Sequence, residues 1–310
     1  MTPLSSLLTP KPRAVVGAVI AAVVSALFLT IAGAIFAQSG QRAGATTTGP
    51  GGATAPAGPT EPAGATRQSP CLRKRLHLRC PDLIMSAPSH LHMDRSTIPG
   101  RVLLRATSSI NNRGGGPLEL RARRTGAHSW AVYQAINDRA HRPHLFSRPA
   151  ASLVFKYVPG ERYGYGDVGG ETYWKFEHAA AFQLWSINAR FKAIRLVRRG
   201  PKIDYCLRDL VHSHPSSDSP SSPAYPACNR EPELRRDVLG TSVGWSDVYP
   251  YDYPQQWIDV TGLRGRFAYV QVADPNALLI ERNHRNNVSE TYVALPSGRV
   301  LGHRIAAAAP

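Results

Sequence analysis

Acidic residues are scarce in this chain. Its 310 residues include 21 Asp and Glu against 37 Lys and Arg, and the formal net charge is +16. The densest basic cluster (Arg121, Arg123, Arg124) is short and has no interleaved aromatic residues on which bases could stack, so nucleic acid is an unlikely partner. A basic exterior favours anionic partners instead, such as an anionic wall polymer or an acidic protein.

Several familiar catalytic motifs are also missing. The sequence contains no phosphate-cradling glycine motif, no nucleophile elbow and no HExxH, so P-loop, α/β-hydrolase and HExxH metalloprotease chemistries are not supported. His212 and His214 have a His-x-His spacing that could bind a metal. Because they lie in a very polar stretch, we expect them to be solvated.

Residues 1–37 have the character of a membrane segment. Lys11 and Arg13 precede an uncharged run at 14–37, which is long enough as a helix to cross a bilayer. The positive charges keep that end in the cytoplasm, so the rest would face outward. Ile35 stands where a cleavage site needs a small residue, which favours a signal-anchor over a cleaved signal. We therefore expect a membrane-anchored chain with its domain outside the cytoplasm, or a secreted one if the segment is cut.

Residues 38–70 contain Gly, Ala, Pro and Thr and no bulky apolar side chain. Such a composition cannot offset the entropy cost of ordering, and it predicts a disordered linker that holds the domain away from the membrane. The folded domain is predicted at 71–300, followed by a tail at 301–310.

The apolar stretches of that domain are short, often alternate with polar residues and are separated by turn residues. This pattern predicts an all-β fold, an antiparallel β-sandwich, whereas long amphipathic helices are not evident. Residues 212–227, rich in Ser and Pro, are predicted to form a long loop. The predicted strands are 102–106, 118–120, 131–136, 153–158, 267–272 and 291–295.

The four cysteines fit an oxidising exterior, in which disulfides persist. Cys71 and Cys80 are close in sequence, as are Cys206 and Cys228, which suggests two local bridges. Three pairings are possible, and the sequence does not choose among them. Neither pair has the CxxC spacing of a zinc or redox site.

Four stretches together resemble the lysyl oxidase family, and their order and approximate spacing also fit. An upstream segment, NNRGGGPLEL at 111–120, is similar to an early strand pair of bacterial members. The four stretches are YGDVGGETYWKFE at 165–177, GPKIDYCL at 200–207, GWSDVYP at 244–250 with QWIDV at 256–260, and GRFAYVQV at 265–272 with Glu281 and Asn286-Asn287.

The resemblance implies a copper-dependent amine oxidase that builds a lysine tyrosylquinone from its own side chains. By position, the cofactor lysine would be Lys202 and the cofactor tyrosine Tyr249. The family's three copper-binding histidines fall on Glu171, Tyr173 and Lys175. On a strand these three alternate residues point to one face.

That replacement is the chemical departure from the family. Copper(II) favours imidazole nitrogens, whereas a lysine ammonium has no lone pair and repels a cation. Without copper no quinone forms, and an amine substrate then meets neither a carbonyl nor an electron sink. The sequence therefore predicts a catalytically degenerate domain that has no cofactor. This domain would act as a surface binding or structural module.

Other interpretations stay open. Lys202 and Tyr249 both persist, so an active oxidase with an altered metal set and the same quinone is the alternative. In the simplest interpretation, residues 171–176 are an ordinary strand, Lys202 is a solvated lysine, and Tyr249 belongs to an aromatic loop with Tyr251 and Tyr253. His178, the nearest histidine, is offset onto the opposite face of the strand unless a bulge intervenes.

Overall fold

The computed structural model describes residues 69–158 and 170–305. Within these ranges the chain is all-β and every strand pairing is antiparallel, which confirms the predicted class. The helices found there are single 3₁₀ turns at Pro70–Leu72, Lys74–Leu76 and His284–Asn286. A search of the same ranges finds no helix with the length and apolarity to cross a membrane. The predicted anchor at 14–37 lies outside the described residues, as does nearly all of the linker.

Sixteen strands carry the fold. They are β1 (Leu83–Met85), β2 (Ser89–Asp94), β3 (Leu103–Asn112), β4 (Leu118–Arg124), β5 (Trp130–Asn137), β6 (Pro143–Ser147), β7 (Leu153–Val158), β8 (Glu171–Phe176), β9 (Ala180–Ile187), β10 (Ala193–Arg199), β11 (Arg236–Thr241), β12 (Ser246–Tyr249), β13 (Trp257–Asp259), β14 (Gly265–Ala273), β15 (Val288–Leu295) and β16 (Arg299–Ile305). The six predicted strand segments fall on β3, β4, β5, β7, β14 and β15.

Strand β3 is the centre of the first sheet. Its first half pairs with β2 and β13, and its second half pairs with β1 and β12. Nine of its ten residues, Leu103 to Asn112, have a partner in a neighbouring strand, and only Ala106 has none. This long strand fixes the place of β12, which ends in Tyr249.

Two further sheets and a hairpin complete the domain. One sheet has the order β10-β9-β14-β15-β16, another has the order β11-β4-β5-β6, and β7 pairs with β8 alone. Apolar side chains from all of these share one core with the β3 sheet, including Leu104, Leu120, Phe176, Leu184 and Tyr269. The arrangement is β-sandwich-like, and it follows from strands that each bury one face of alternating residues.

Both disulfides are local. Cys71 is bonded to Cys80, and Cys206 to Cys228, the pairing that the short separations indicated. The second bridge closes the long Ser- and Pro-rich segment at 212–227, in which the structure has no strand. At the other end of the domain, β16 runs to Ile305 and so passes the predicted boundary at residue 300.

Candidate functional site

The strand that carries the three replaced metal positions has two buried sides. Trp174 of β8 points into the core, where its ring lies 4.8 Å from that of Trp130 and 4.9 Å from that of Phe155. The side chains of Tyr173 and Lys175 lie together on the other side, with the Lys175 Nζ 4.8 Å from the Tyr173 ring centroid. The alternation predicted from the sequence therefore aims Lys175 into the interior of the protein, where it is 1% exposed.

Lys202 lies in the segment that follows β10, and its side chain reaches the same interior space as Lys175. Residues after Gly200 turn back along β8, and Tyr205 exchanges backbone hydrogen bonds with Phe176 at the end of that strand. This pairing places Lys202 beside Lys175. Lys202 is 2% exposed, and its Nζ donates a 2.7 Å hydrogen bond to the backbone carbonyl of Asp204.

Tyr249 closes the cluster from the opposite side. It is the last residue of β12, it is 3% exposed, and its hydroxyl accepts a 3.4 Å hydrogen bond from the backbone N–H of Cys206. The Nζ of Lys202 lies 4.1 Å from the Tyr249 ring centroid, 4.5 Å from that of Tyr205 and 5.1 Å from that of Tyr253. Residues far apart in sequence, Lys202 and Tyr249, are thus adjacent in the fold.

The two lysine amines interact with each other as well as with the rings. The Lys175 Nζ lies 5.6 Å from the Tyr253 ring centroid and 5.9 Å from that of Tyr249, and, besides burial, the positive charge of Lys175 is one of the causes that lower the pKa of the Lys202 amine. The faces of the tyrosine rings are the negative surfaces that a buried ammonium prefers.

The electrostatics assign the charge to Lys175. Burial lowers the pKa of Lys175 to about 8, which leaves it mostly protonated at neutral pH. Burial, together with the neighbouring Lys175, lowers the pKa of Lys202 well below its usual value. Lys175 is therefore the cation between the rings, and Lys202 is a buried amine that burial and Lys175 both drive towards its neutral form.

Two aspartates balance this buried charge. Burial raises the pKa of Asp247 to about 6, although the nearby Arg208, Lys202 and Lys175 favour its charged form. One Asp247 oxygen accepts a 3.1 Å hydrogen bond from the backbone N–H of Leu207. Asp204 forms a 2.7 Å ion pair with Lys156 on β7. The carboxylates of Asp247 and Asp204 therefore balance the positive charge of the buried lysines.

The replaced positions do not form a copper site. Glu171 is already in a 2.7 Å ion pair with Arg230, and the Tyr173 hydroxyl shares a 2.5 Å hydrogen bond with that of Tyr253. The third position holds the Lys175 ammonium, which has no lone pair and repels a cation. Copper would thus have to displace one ion pair, one hydrogen bond and one buried positive charge.

The histidines of the chain lie elsewhere. His178 follows β8, its side chain is 46% exposed, and its Nε2 lies 4.0 Å from Glu177. No bulge turns it towards Lys202. His212 stacks on the ring of Trp245 at 4.7 Å, and His214 is half-buried with a pKa lowered by burial. The prediction that these two histidines are simply solvated is therefore wrong, because each packs against the protein.

A second polar cluster satisfies a geometric criterion for metal binding. Ligand atoms of Asp274, Glu281 and His284 lie within 4.8 Å of one another. Both oxygens of Asp274 accept backbone N–H groups, and those of Glu281 accept hydrogen bonds from the Leu83 N–H and the Asn287 amide. These carboxylates already join β1 to the connection between β14 and β15, so the cluster has a structural role.

The interpretation of Lys202 as a solvated lysine is wrong, and Tyr249 is a buried strand residue rather than part of a loop. The structure adds residues that the sequence reasoning did not select: Tyr205, Asp204 and Asp247. A signal for them was present, since Lys202 and Asp204, like Asp247 and Tyr249, have the two-residue spacing of one strand face. Their functional roles stay predictions.

Residues 169–303 match the family model described as lysyl oxidase. The matched region includes β8, Lys202 and Tyr249, whereas the early strand pair at 111–120 lies before it. No curated protein matches the sequence significantly.

Proposed function

Since the chain contains a lysyl oxidase-like domain over residues 169–303, we propose that this domain no longer performs copper-dependent amine oxidation and acts as a binding or structural module. The proposal concerns the chemistry of one buried site. Its support is that the fold brings the expected lysine and tyrosine together, while the residues at the expected copper positions are unsuited to copper.

The observation that carries the proposal is the position of Lys175. Its charged amine lies among the rings of Tyr173, Tyr249 and Tyr253, at 4.8 to 5.9 Å from their centroids. A cupric ion nearby would face the positive charge of a side chain that is 1% exposed, and repulsion between buried charges is far stronger than in solution. Lys175 thus supplies, from within the chain, the positive charge that the family obtains from its metal.

Loss of the metal removes the oxidative chemistry at its first step. In the family, copper is what converts the tyrosine into a quinone. Tyr249 stays a phenol here, and burial and Asp247 raise its pKa well above the usual value. A phenol and an amine in contact have no route to a covalent bond without an oxidant.

Copper loading tests this proposal. The purified chain would be incubated with excess copper(II), passed through a desalting column and measured by elemental analysis, beside the variant E171H/Y173H/K175H. We expect well under one copper per chain for the natural sequence and an increase towards one for the variant, because imidazoles are restored at all three positions. One tightly held copper on the natural sequence would refute the proposal.

The alternative is an oxidase with an altered metal set and a lysine tyrosylquinone. It is favoured by one distance, the 4.1 Å between the Lys202 amine and the Tyr249 ring, since the two groups must touch for a quinone crosslink to form. This alternative expects a visible quinone absorption in the chain after treatment with copper and oxygen, and release of hydrogen peroxide when a primary amine is then added. Neither signal is expected if the site is degenerate.

We further propose that the domain is displayed outside the cytoplasm. Its two disulfides are of the kind that persist in oxidising compartments. The apolar segment at 14–37 would either anchor the chain in the membrane or be removed on secretion. Membrane fractionation of cells that express the full chain, with and without residues 14–37, separates these outcomes.

A further inference from the structure

The hairpin of β9 and β10 concentrates positive charge on one edge of the domain. Five cations occur within ten residues and all are exposed, whereas residues 188–200 contain no acidic residue. The five cations are Arg190, Lys192, Arg195, Arg198 and Arg199.

These cations differ from others nearby in having no ion-pair partner among the described residues. Arg101 pairs with Asp259 at 2.8 Å, and Arg304 with Glu290. Among residues 69–158 and 170–305, no carboxylate forms an ion pair with any of the five cations of the β9–β10 hairpin. Uncompensated like charges repel one another and lower stability, so a ligand of opposite charge would remove a cost already present in the fold.

Strand β10 also has an open edge. It is the terminal strand of the order β10-β9-β14-β15-β16, and it pairs only with β9, through a register that shifts twice. No other described strand pairs with β10, although β13 lies beside it. A seven-residue strand extends about 23 Å at roughly 3.3 Å per residue, and three of the five cations, Arg195, Arg198 and Arg199, lie on it, while Arg190 and Lys192 lie in the turn before it.

Protection against aggregation is the simplest explanation for charge on an edge strand. One or two charged side chains together with a bulge are enough for that protection. Strand β10 already has two irregularities of this kind, the two register shifts in its pairing with β9. Five cations without a single acid exceed what this role requires. The excess indicates selection of a partner by its negative charge.

We propose that the β9–β10 hairpin binds a linear polyanion, with the chain of negative groups lying along β10. This inference rests on the proposed binding role, for which it supplies a surface and a class of partner. A linear polymer fits better than a membrane because three of the cations lie on one edge strand and the other two lie in the turn that leads into it. Phe191 is 37% exposed, but its ring is held against that of Tyr292 at 4.8 Å rather than projecting towards a bilayer.

Binding of inorganic polyphosphate by the full chain tests the inference. Affinity would be measured by fluorescence anisotropy from 50 to 250 mM salt for the natural sequence and for R195Q/R198Q/R199Q. We expect the variant to lose at least about tenfold in affinity at 150 mM salt. We also expect the slope of log affinity against log salt to fall by about 2, since each lost phosphate contact removes roughly 0.7.

A matched control removes the same charge elsewhere. The variant R121Q/R123Q/R236Q alters three exposed arginines on β4 and β11, where Arg123 lies directly opposite Arg236. We expect less than about a threefold change for this control. Equal losses for the two variants would show attraction by net charge alone and would overturn the inference.

Two other outcomes would also overturn it. Absence of polyphosphate binding by the natural sequence at 50 mM salt is one. Binding to vesicles containing an anionic phospholipid but not to polyphosphate is the other, and it would identify a membrane surface as the partner. Copper uptake by the chain would refute the loss of oxidase function without affecting these measurements, so the two proposals fail separately.

Discussion

The domain carries positive charge in two contrasting settings. Lys175 and Lys202 are at most 2% exposed and lie among tyrosine rings and aspartates. Arg195, Arg198 and Arg199 lie on an open strand edge and have no described carboxylate beside them. The buried amines lie among rings and carboxylates of the protein itself, whereas no described carboxylate forms an ion pair with the three exposed arginines. We infer that the first group serves the fold and the second serves recognition.

The cost of burying a charge explains this division. An ammonium removed from water loses several kcal/mol of hydration unless rings, carbonyls and carboxylates replace it. The lysine site provides each of these groups: the rings of Tyr173 and Tyr249, the carbonyl of Asp204 and the carboxylate of Asp247. An exposed arginine keeps its water and needs no such arrangement. Substitutions should therefore act on stability in one setting and on binding in the other.

The largest effect is expected for Asp247→Asn. The substitution keeps the shape of the side chain but leaves Lys175 and the adjacent Arg208 without their buried counter-charge, so we expect a loss of about 3 kcal/mol in unfolding free energy. Urea denaturation at pH 7 measures it. The control is Asp218→Asn, which removes the ion pair between Asp218 and Arg79. Because the Asp218 side chain is 54% exposed, this substitution should cost less than about 1 kcal/mol. Similar costs for the two variants would contradict the contrast.

A smaller effect is expected from pH. The pKa of Lys175 is about 8 in the fold and its ordinary value is 10.5, so between these values the folded chain binds fewer protons than the unfolded one. Stability should therefore rise with pH from about 8, by roughly 1 to 3 kcal/mol in all. Urea midpoints at pH 7.5, 8.5 and 9.5 measure the rise. In the Lys175→Met variant the rise in stability with pH should be smaller, because Lys202 is then the only one of the two lysines that contributes to it.

The smallest effect on stability is expected for Arg195→Gln. Its side chain is exposed and has no described ion-pair partner, so the unfolding free energy should change by less than about 0.5 kcal/mol. Thermal denaturation followed by circular dichroism is sufficient to measure this. A drop of more than 2 kcal/mol would mean that the cations of β10 are structural, which would remove the distinction between the two settings.

The sequence predicted much of the fold because the period-two alternation is a local property. Segments such as 102–106 and 267–272 became β3 and β14, and the short cysteine separations became two local disulfides. The sheet order could not be read from sequence. The pairing of β3 with β12 joins residues more than 130 positions apart, and no local pattern selects that partner.

The candidate site was predicted in part. Lys202 and Tyr249 were selected through resemblance, and the structure places them in contact. Their burial was not foreseen, because a lysine is usually solvated and its burial depends on Tyr205 and Asp204, which the turn after β10 brings in. The approach of Lys175 and Lys202 to the same two rings, those of Tyr249 and Tyr253, was equally beyond the sequence. It requires the return of residues 200–206 along β8, which only the packed structure reveals.

The most direct test of the central claim is peptide mass analysis of Lys202 and Tyr249 after prolonged exposure of the full chain to copper and oxygen. If the domain has lost copper-dependent oxidation, as proposed, we expect the peptides that contain Lys202 and Tyr249 to be recovered separately and with unmodified masses. A single crosslinked species that contains both residues would show that the oxidation occurs and would contradict the account.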